Sequence, residues 1–190
     1  MSKEQNKNQT ERIPTWEELE AVYKSTAQTY IISANYLKNM YNKYKELIDK
    51  NPNTKKILDG ASKTLMDIKK MIDVLALTHV EPAKGDEPDT EVFPGPDGKL
   101  LKFKKGPIDE DDEKTIRNVI KTLIAYSNLN VNIFTTTKNA IACVLTDLEK
   151  ILDSIEDEEE RARYLKLLEG DKEELNKIKE GEPNGRVENK

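Results

Sequence analysis

Between Thr15 and Lys50, and again between Ile108 and Glu169, no Gly or Pro interrupts the chain. Strands in soluble domains rarely exceed about ten residues, so stretches this long read as helices if they are periodic. The periodicity is present. In the first stretch Trp16, Tyr23, Tyr30, Leu37 and Tyr44 recur every seven residues, beside a second row of Ala27, Ala34, Tyr41 and Ile48. A third row, Leu19, Met40 and Leu47, is broken by Thr26 and Ser33. A seven-residue apolar repeat marks a helix that packs along a coiled-coil-like seam. At its head, Thr15 and Glu18 have the spacing of a capping box. The pattern predicts one helix over 15–50.

Asn51-Pro52-Asn53 stops that helix, and Pro52 suits the first turn of the next. A stripe of Ile57, Ala61, Leu65, Ile68, Ile72 and Leu75 predicts a second helix over 51–79, antiparallel to the first because the connection is short. Gly60 beside Ala61 suggests a close backbone approach. Residues 80–108 then gather five of the eight Pro. Within them, Thr90–Phe93 and Lys99–Lys104 flank Pro94-Gly95-Pro96-Asp97-Gly98, which reads as a β-hairpin insert over about 90–105.

The acidic run 109–113 opens a third helix, where carboxylates are favoured by the partial positive charge of the helix end. Its stripe is Ile116, Ile120, Leu123, Ser127, Phe134, Ile141, Leu148 and Ile155. Residues 128–133 alternate with period two, as a strand would. The absence of Gly and Pro, and the return of the heptad phase at Phe134, favour an unbroken helix over 109–155. Helices over 156–169 (with Ala162, Leu165 and Leu168 on one side) and 171–180 (with Leu175 and Ile178) follow, separated by Gly170. Residues 1–13 and 181–190 read as disordered tails around one helical domain, 14–180. The expected fold is all-α: an elongated antiparallel helical bundle with coiled-coil-like long helices and a small β-hairpin insert.

Composition limits the chemistry. Charged residues make up 35% of the chain and apolar residues 36%, so the core is thin and an α/β enzyme with buried parallel strands is not expected. There is no Gly-rich phosphate loop. One Cys and one His do not suffice for a metal site, a disulfide framework or the usual nucleophile–base pairs. His79 reads as a helix cap or surface residue and Cys143 as a small buried apolar one. No catalytic, cofactor or metal residues are expected. No apolar run approaches a membrane span and the first residues carry no apolar stretch, so a cytoplasmic protein, or part of a particle assembled in the cytoplasm, is expected.

Two surfaces remain. The insert concentrates Val92, Phe93, Leu100, Leu101 and Phe103 among Lys99, Lys102, Lys104 and Lys105. A two-stranded hairpin is marginal alone, so these residues are candidates for an interaction with the helices or with a partner. Lys38, Lys43, Lys45, Lys55 and Lys56 interleave with or follow the Tyr stripe, in a region with nine Lys and four acids over 38–72. They are candidate nucleic-acid contacts, although only five of the 31 basic residues are Arg, the better phosphate and base reader. Residues 145–190 carry nine basic and fifteen acidic side chains. The expectation is a non-enzymatic structural or assembly protein, self-associating or joining a larger complex. The Lys/Asn/Ile bias suggests AT-rich coding, as in low-GC bacteria and their phages, which is a hint about source and not about function; a phage-type particle is one such complex. The alternative is a nucleic-acid-binding accessory protein using the basic first helical hairpin.

Overall fold

The structure, a computed structural model, describes residues 12–84, 91–95 and 97–180, with side chains through residue 176. Three quarters of the described residues are helical, in five helices, with one small antiparallel sheet. The helices are α1 (Trp16–Lys43), α2 (Lys45–Lys50), α3 (Pro52–Ala76), α4 (Glu113–Leu152) and α5 (Glu158–Glu180). The strands are β1 (Val80–Pro82), β2 (Val92–Pro94) and β3 (Leu100–Phe103), in the order β1-β3-β2. Far-UV circular dichroism is expected to show roughly 60% helix or more, about twice the average for soluble domains. A spectrum dominated by strand would overturn the fold.

Two compact units are present. Unit 1 takes the chain to Thr29 and residues Ile68–Val131; unit 2 takes Tyr30–Asp67 and residues from Asn132 onward. The sequence treats 14–180 as one helical domain. The segments 1–11, 85–90, 96 and 181–190, which include most of both expected tails, lie outside the described residues, as does the side chain of Ile178.

The helix ends follow local chemistry. The Thr15 hydroxyl accepts from the Glu18 amide at 3.2 Å and the Glu18 carboxylate accepts from the Thr15 amide at 2.9 Å, a closed capping box. Asn51 Oδ1 accepts from the amides of Asn53 and Thr54, with Pro52 as the first residue of α3. Asp112 Oδ1 accepts from the Thr115 amide ahead of α4, and Asp157 Oδ1 from the amides of Glu159 and Glu160 ahead of α5. So each acidic run supplies an N-cap.

Several elements differ from the sequence reading. The single helix over 15–50 is divided at Tyr44, which leaves helical geometry (φ −115°, ψ 21°) with its ring fully buried. The two helices over 156–169 and 171–180 are one, α5, which runs through Gly170. Its buried face is Tyr164, Leu168, Asp171 and Leu175, while Ala162 and Leu165 are exposed. Gly60 is exposed and a Cβ there would meet nothing within 4 Å, so it marks no close approach. The alternating segment 128–133 is helix, inside a 40-residue α4.

The row Leu19, Thr26, Ser33 and Met40 on α1, continued by Leu47 on α2, is buried throughout. Thr26 tolerates burial because its hydroxyl donates to the Val22 carbonyl and accepts from Asn130 Nδ2 at 2.9 Å, both within unit 1. On α4 the buried face is Val119, Thr122, Tyr126, Leu129, Ile133, Thr137, Ala140 and Val144. The stripe read from the sequence is out of phase over its first half: Ile120, Ser127 and Phe134 are exposed. It rejoins the core at Ile141 and Leu148. The misreading arises because the true row passes through Thr122, Tyr126 and Thr137, whose polar atoms hide it.

Candidate interaction surfaces

Unit 1 holds the insert. It is a three-stranded sheet, with β1 the strand that its Pro-rich sequence conceals. Phe93 pairs with Leu101, Phe103 with Val80, and Lys102 with both Glu81 and Val92. The hairpin closes through Gly95 and Lys99, with Gly98 at φ 77°. That left-handed angle suits glycine in a turn. Alternation then sorts the five candidate side chains. Phe103 is buried, and Phe93 and Leu101 are half-buried on the same face. Val92 and Leu100 face out, 49% and 53% exposed. Only those two of the five are exposed.

The inward face meets an aromatic cluster. The imidazole of His79 stacks on Phe103 (centroids 5.3 Å apart, planes 14° apart) and lies edge-on to Tyr23 and Tyr126. Phe93 packs on Phe103 at 5.3 Å. His79 is 1% exposed, so its place is the core of unit 1 rather than a cap or the surface. Its carbonyl accepts from the Lys104 amide, which ties β3 to the end of α3. Its Nε2 has no hydrogen-bond partner among the described residues. Burial holds the imidazole down at about pKa 4, with Glu20 working against that and Lys104 with it.

The insert is less basic than its sequence. Lys99 pairs with Asp97, Lys102 with Glu81, and Lys105 with Glu20. Lys104 lies over the Trp16 ring, 4.6 Å from its centroid. Burial alone would raise the Glu20 carboxyl, but hydrogen bonds from Lys105 and Lys24 outweigh it and hold the group ionised. Lys24 also reaches Glu91 at 2.6 Å, and Glu17 accepts from the Gly106 amide, so α1 and the insert are joined on both flanks of β3.

Helices α3 and α4 of unit 1 line an open apolar groove of about 530 Å³, formed by Lys70, Met71, Val74, Leu75, Ala125, Asn128 and Leu129. Helix spacing places Ile124 and Val131 beside Asn128, four residues before it and three after, and Leu77 follows Val74 just past the end of α3. All are exposed, Val74 by 64% and Ile124 by 55%. With Ile120 and Ser127, the residues Ile124 and Val131 form a row spaced four, three and four apart on α4. Ile120 and Ser127 of this row belong to the expected core stripe, and they face outward.

Unit 2 holds the five candidate lysines. Lys43 Nζ donates to Asp171 Oδ1 at 2.7 Å, while the Tyr44 hydroxyl donates to Oδ2 at 2.6 Å. Burial and that carboxylate together push the Tyr44 phenol far above its ordinary range. Lys55 pairs with Asp49 at 3.2 Å. Lys38, Lys45 and Lys56 are exposed. The lysines are therefore not one unopposed basic strip. Asp171, expected to open a last helix, instead anchors the middle of α5 to α1. Cys143 is exposed, not buried.

Among the described residues no three His, Cys, Asp or Glu side chains are grouped to hold a metal ion, and no helix is long and apolar enough to cross a membrane. No protein family, curated protein or solved structure shows significant similarity to the chain.

Proposed function

We propose that this chain is a non-enzymatic assembly protein, joining copies of itself or a larger complex such as a phage-type particle through apolar helix surfaces. The observation that carries this reading is the apolar face of α3 and α4 in unit 1. Isolated exposed apolar residues need no explanation, but a contiguous patch of this kind on a soluble chain marks a contact surface. The exposed Val92 and Leu100 of the sheet supply a smaller second patch. The nucleic-acid alternative is weaker because Lys43 and Lys55 are engaged by carboxylates. Phosphate binding would first have to displace those partners.

Absolute mass by light scattering, with and without a single-stranded DNA oligonucleotide, tests the reading. The expected result is a mass above the 21.7 kDa of one chain without DNA, and DNA binding that is absent or fades steeply with salt. A single-chain mass that rises only with DNA, and stays raised in high salt, would replace the assembly reading by the alternative.

A further inference from the structure

We infer that the α3–α4 face of unit 1 is covered by the same face of a second copy, the α4 ridge of each copy seated in the α3–α4 groove of the other. The inference rests on the assembly reading and names its partner and arrangement.

Three observations select this occupant. The first is period. Ile120, Ile124, Ser127 and Val131 are spaced four, three and four apart, about 3.7 residues per step and close to the 3.6 of an α-helix, so they form a straight ridge. Such a ridge on an exposed helix packs into the groove presented by another helix. A sheet edge or an extended peptide has no such repeat. The second is placement. Ridge and groove lie side by side on one face, Ile124 being a direct helical neighbour of Asn128 in the groove wall. A two-fold axis across that face brings ridge to groove twice, so the surface is complementary to itself, as an isologous dimer requires. The third is area. Met71, Val74, Leu77, Ile120, Ile124 and Val131 are each 43–64% exposed. Together they present roughly 500 Å² of apolar surface; a standard interface buries about 800 Å² per partner, about 65% of it apolar in homodimers. The chain thus exposes here about the apolar area that a stable two-fold dimer hides.

Charge adds nothing that would favour a different partner. Lys70 and Asn128 are the polar lining of the groove, and nearby on α3 Lys69 is neutralised by Asp73 at 2.5 Å. An acidic peptide or a nucleic acid would find no basic array in it.

The experiment is light scattering on the full-length chain and on Val74→Lys and Ile124→Glu, each alone and then mixed. Wild type is expected at twice the 21.7 kDa chain mass. Each variant alone is expected at the chain mass with an unchanged circular dichroism spectrum, because both side chains are more than half exposed. Mixing the two should restore the doubled mass. One half of the mixed interface would then pair Lys with Glu, and the other half would retain Val against Ile. Val131→Lys repeats the test on the same ridge should either variant fold poorly. If wild type is assembled and the variants stay assembled, the face is not the interface and the inference is overturned while the assembly reading stands. If the variants separate but the mixture stays at the chain mass, the ridge-in-groove arrangement is overturned. A wild-type chain that stays at its own mass at every concentration overturns the inference and removes self-association from the assembly reading.

Discussion

Lowering the pH from 7 to 4.5 is expected to reduce the melting temperature of unit 1 by roughly 5–10 °C, and substitution of His79 by Phe or Gln is expected to abolish that slope. His79 is buried against Tyr23, Phe103 and Tyr126, and its Nε2 has no partner among the described residues to share a proton with. Its folded-state pKa is lowered to about 4 by burial, from 6.5 in the exposed state. A depressed pKa means that the unfolded chain binds the proton first. The stabilising contribution is complete above pH 6.5 and is lost as pH falls toward 4, at most about 3 kcal/mol over the full window. The charged groups facing the ring oppose one another: Glu20 on α1 favours the imidazolium, and Lys104 after β3 disfavours it. Glu20 is itself engaged by Lys105 and Lys24, so it is a poor partner for a new cation.

The prediction is clean because the chain has one histidine. The carboxylates held low by hydrogen bonds, among them Glu17, Glu20, Asp49 and Asp112, withdraw their contributions only as pH falls below their ordinary values of 4.5 or 3.8. Between pH 6.5 and 5 the slope therefore belongs to His79. The readout is the slope, not the absolute stability, since either substitution also alters packing on Phe103. A flat wild-type curve across that interval, or an equal slope in both variants, would show that the imidazole is not held neutral.

What the sequence reveals about this fold, and what it hides, follows from where polar atoms find partners. The capping box of Thr15 and Glu18, the stop at Asn51-Pro52, and the continuity of α4 are local matters, decided by spacing and by the absence of Gly and Pro. They are legible. The rows through Thr26, Thr122 and Thr137 are not, because those residues read as interruptions until their hydroxyls are seen to be satisfied. Thr26, Thr122 and Thr137 donate to the carbonyl four residues earlier, and Thr26 also accepts from Asn130. Asp171 is hidden for the same reason. A carboxylate in a run of charges looks solvated, yet it is 9% exposed because Lys43 and Tyr44, over 120 residues away, supply its donors. At the candidate surfaces, alternation on β3 correctly separates Leu101 and Phe103 from Leu100. Nothing local announces β1, whose Glu81 and Pro82 resemble a linker. On α4, Ile120, Ser127 and Phe134 read as part of the core stripe yet face outward, because periodicity alone does not say which of two rows on one helix is inside.

That ambiguity on α4 leads to opposite expectations for two adjacent residues. Ile133→Asp is expected to unfold unit 2, and Phe134→Asp to leave it intact. Ile133 is fully buried on the row that continues to Thr137, Ala140 and Val144, whereas Phe134 is 45% exposed. A carboxylate at 133 would have to be buried without a partner or expel the helix from the core, a loss of roughly 4 kcal/mol or more, which is a large share of the 5–15 kcal/mol that holds a domain folded. At 134 the same carboxylate stands in water and removes only partial packing, including the contact of Lys138 over the ring. The cost there is about 1 kcal/mol or less. Thermal melts followed by circular dichroism separate the two outcomes. The heptad row read from the sequence, which runs through Ser127 and Phe134, requires the reverse order. If Phe134→Asp proved the more damaging of the pair, helix α4 would be rotated by about 100° from the orientation described here, one residue's turn. The row through Ser127 and Phe134 would then face the core, and the row through Ile133 would leave it.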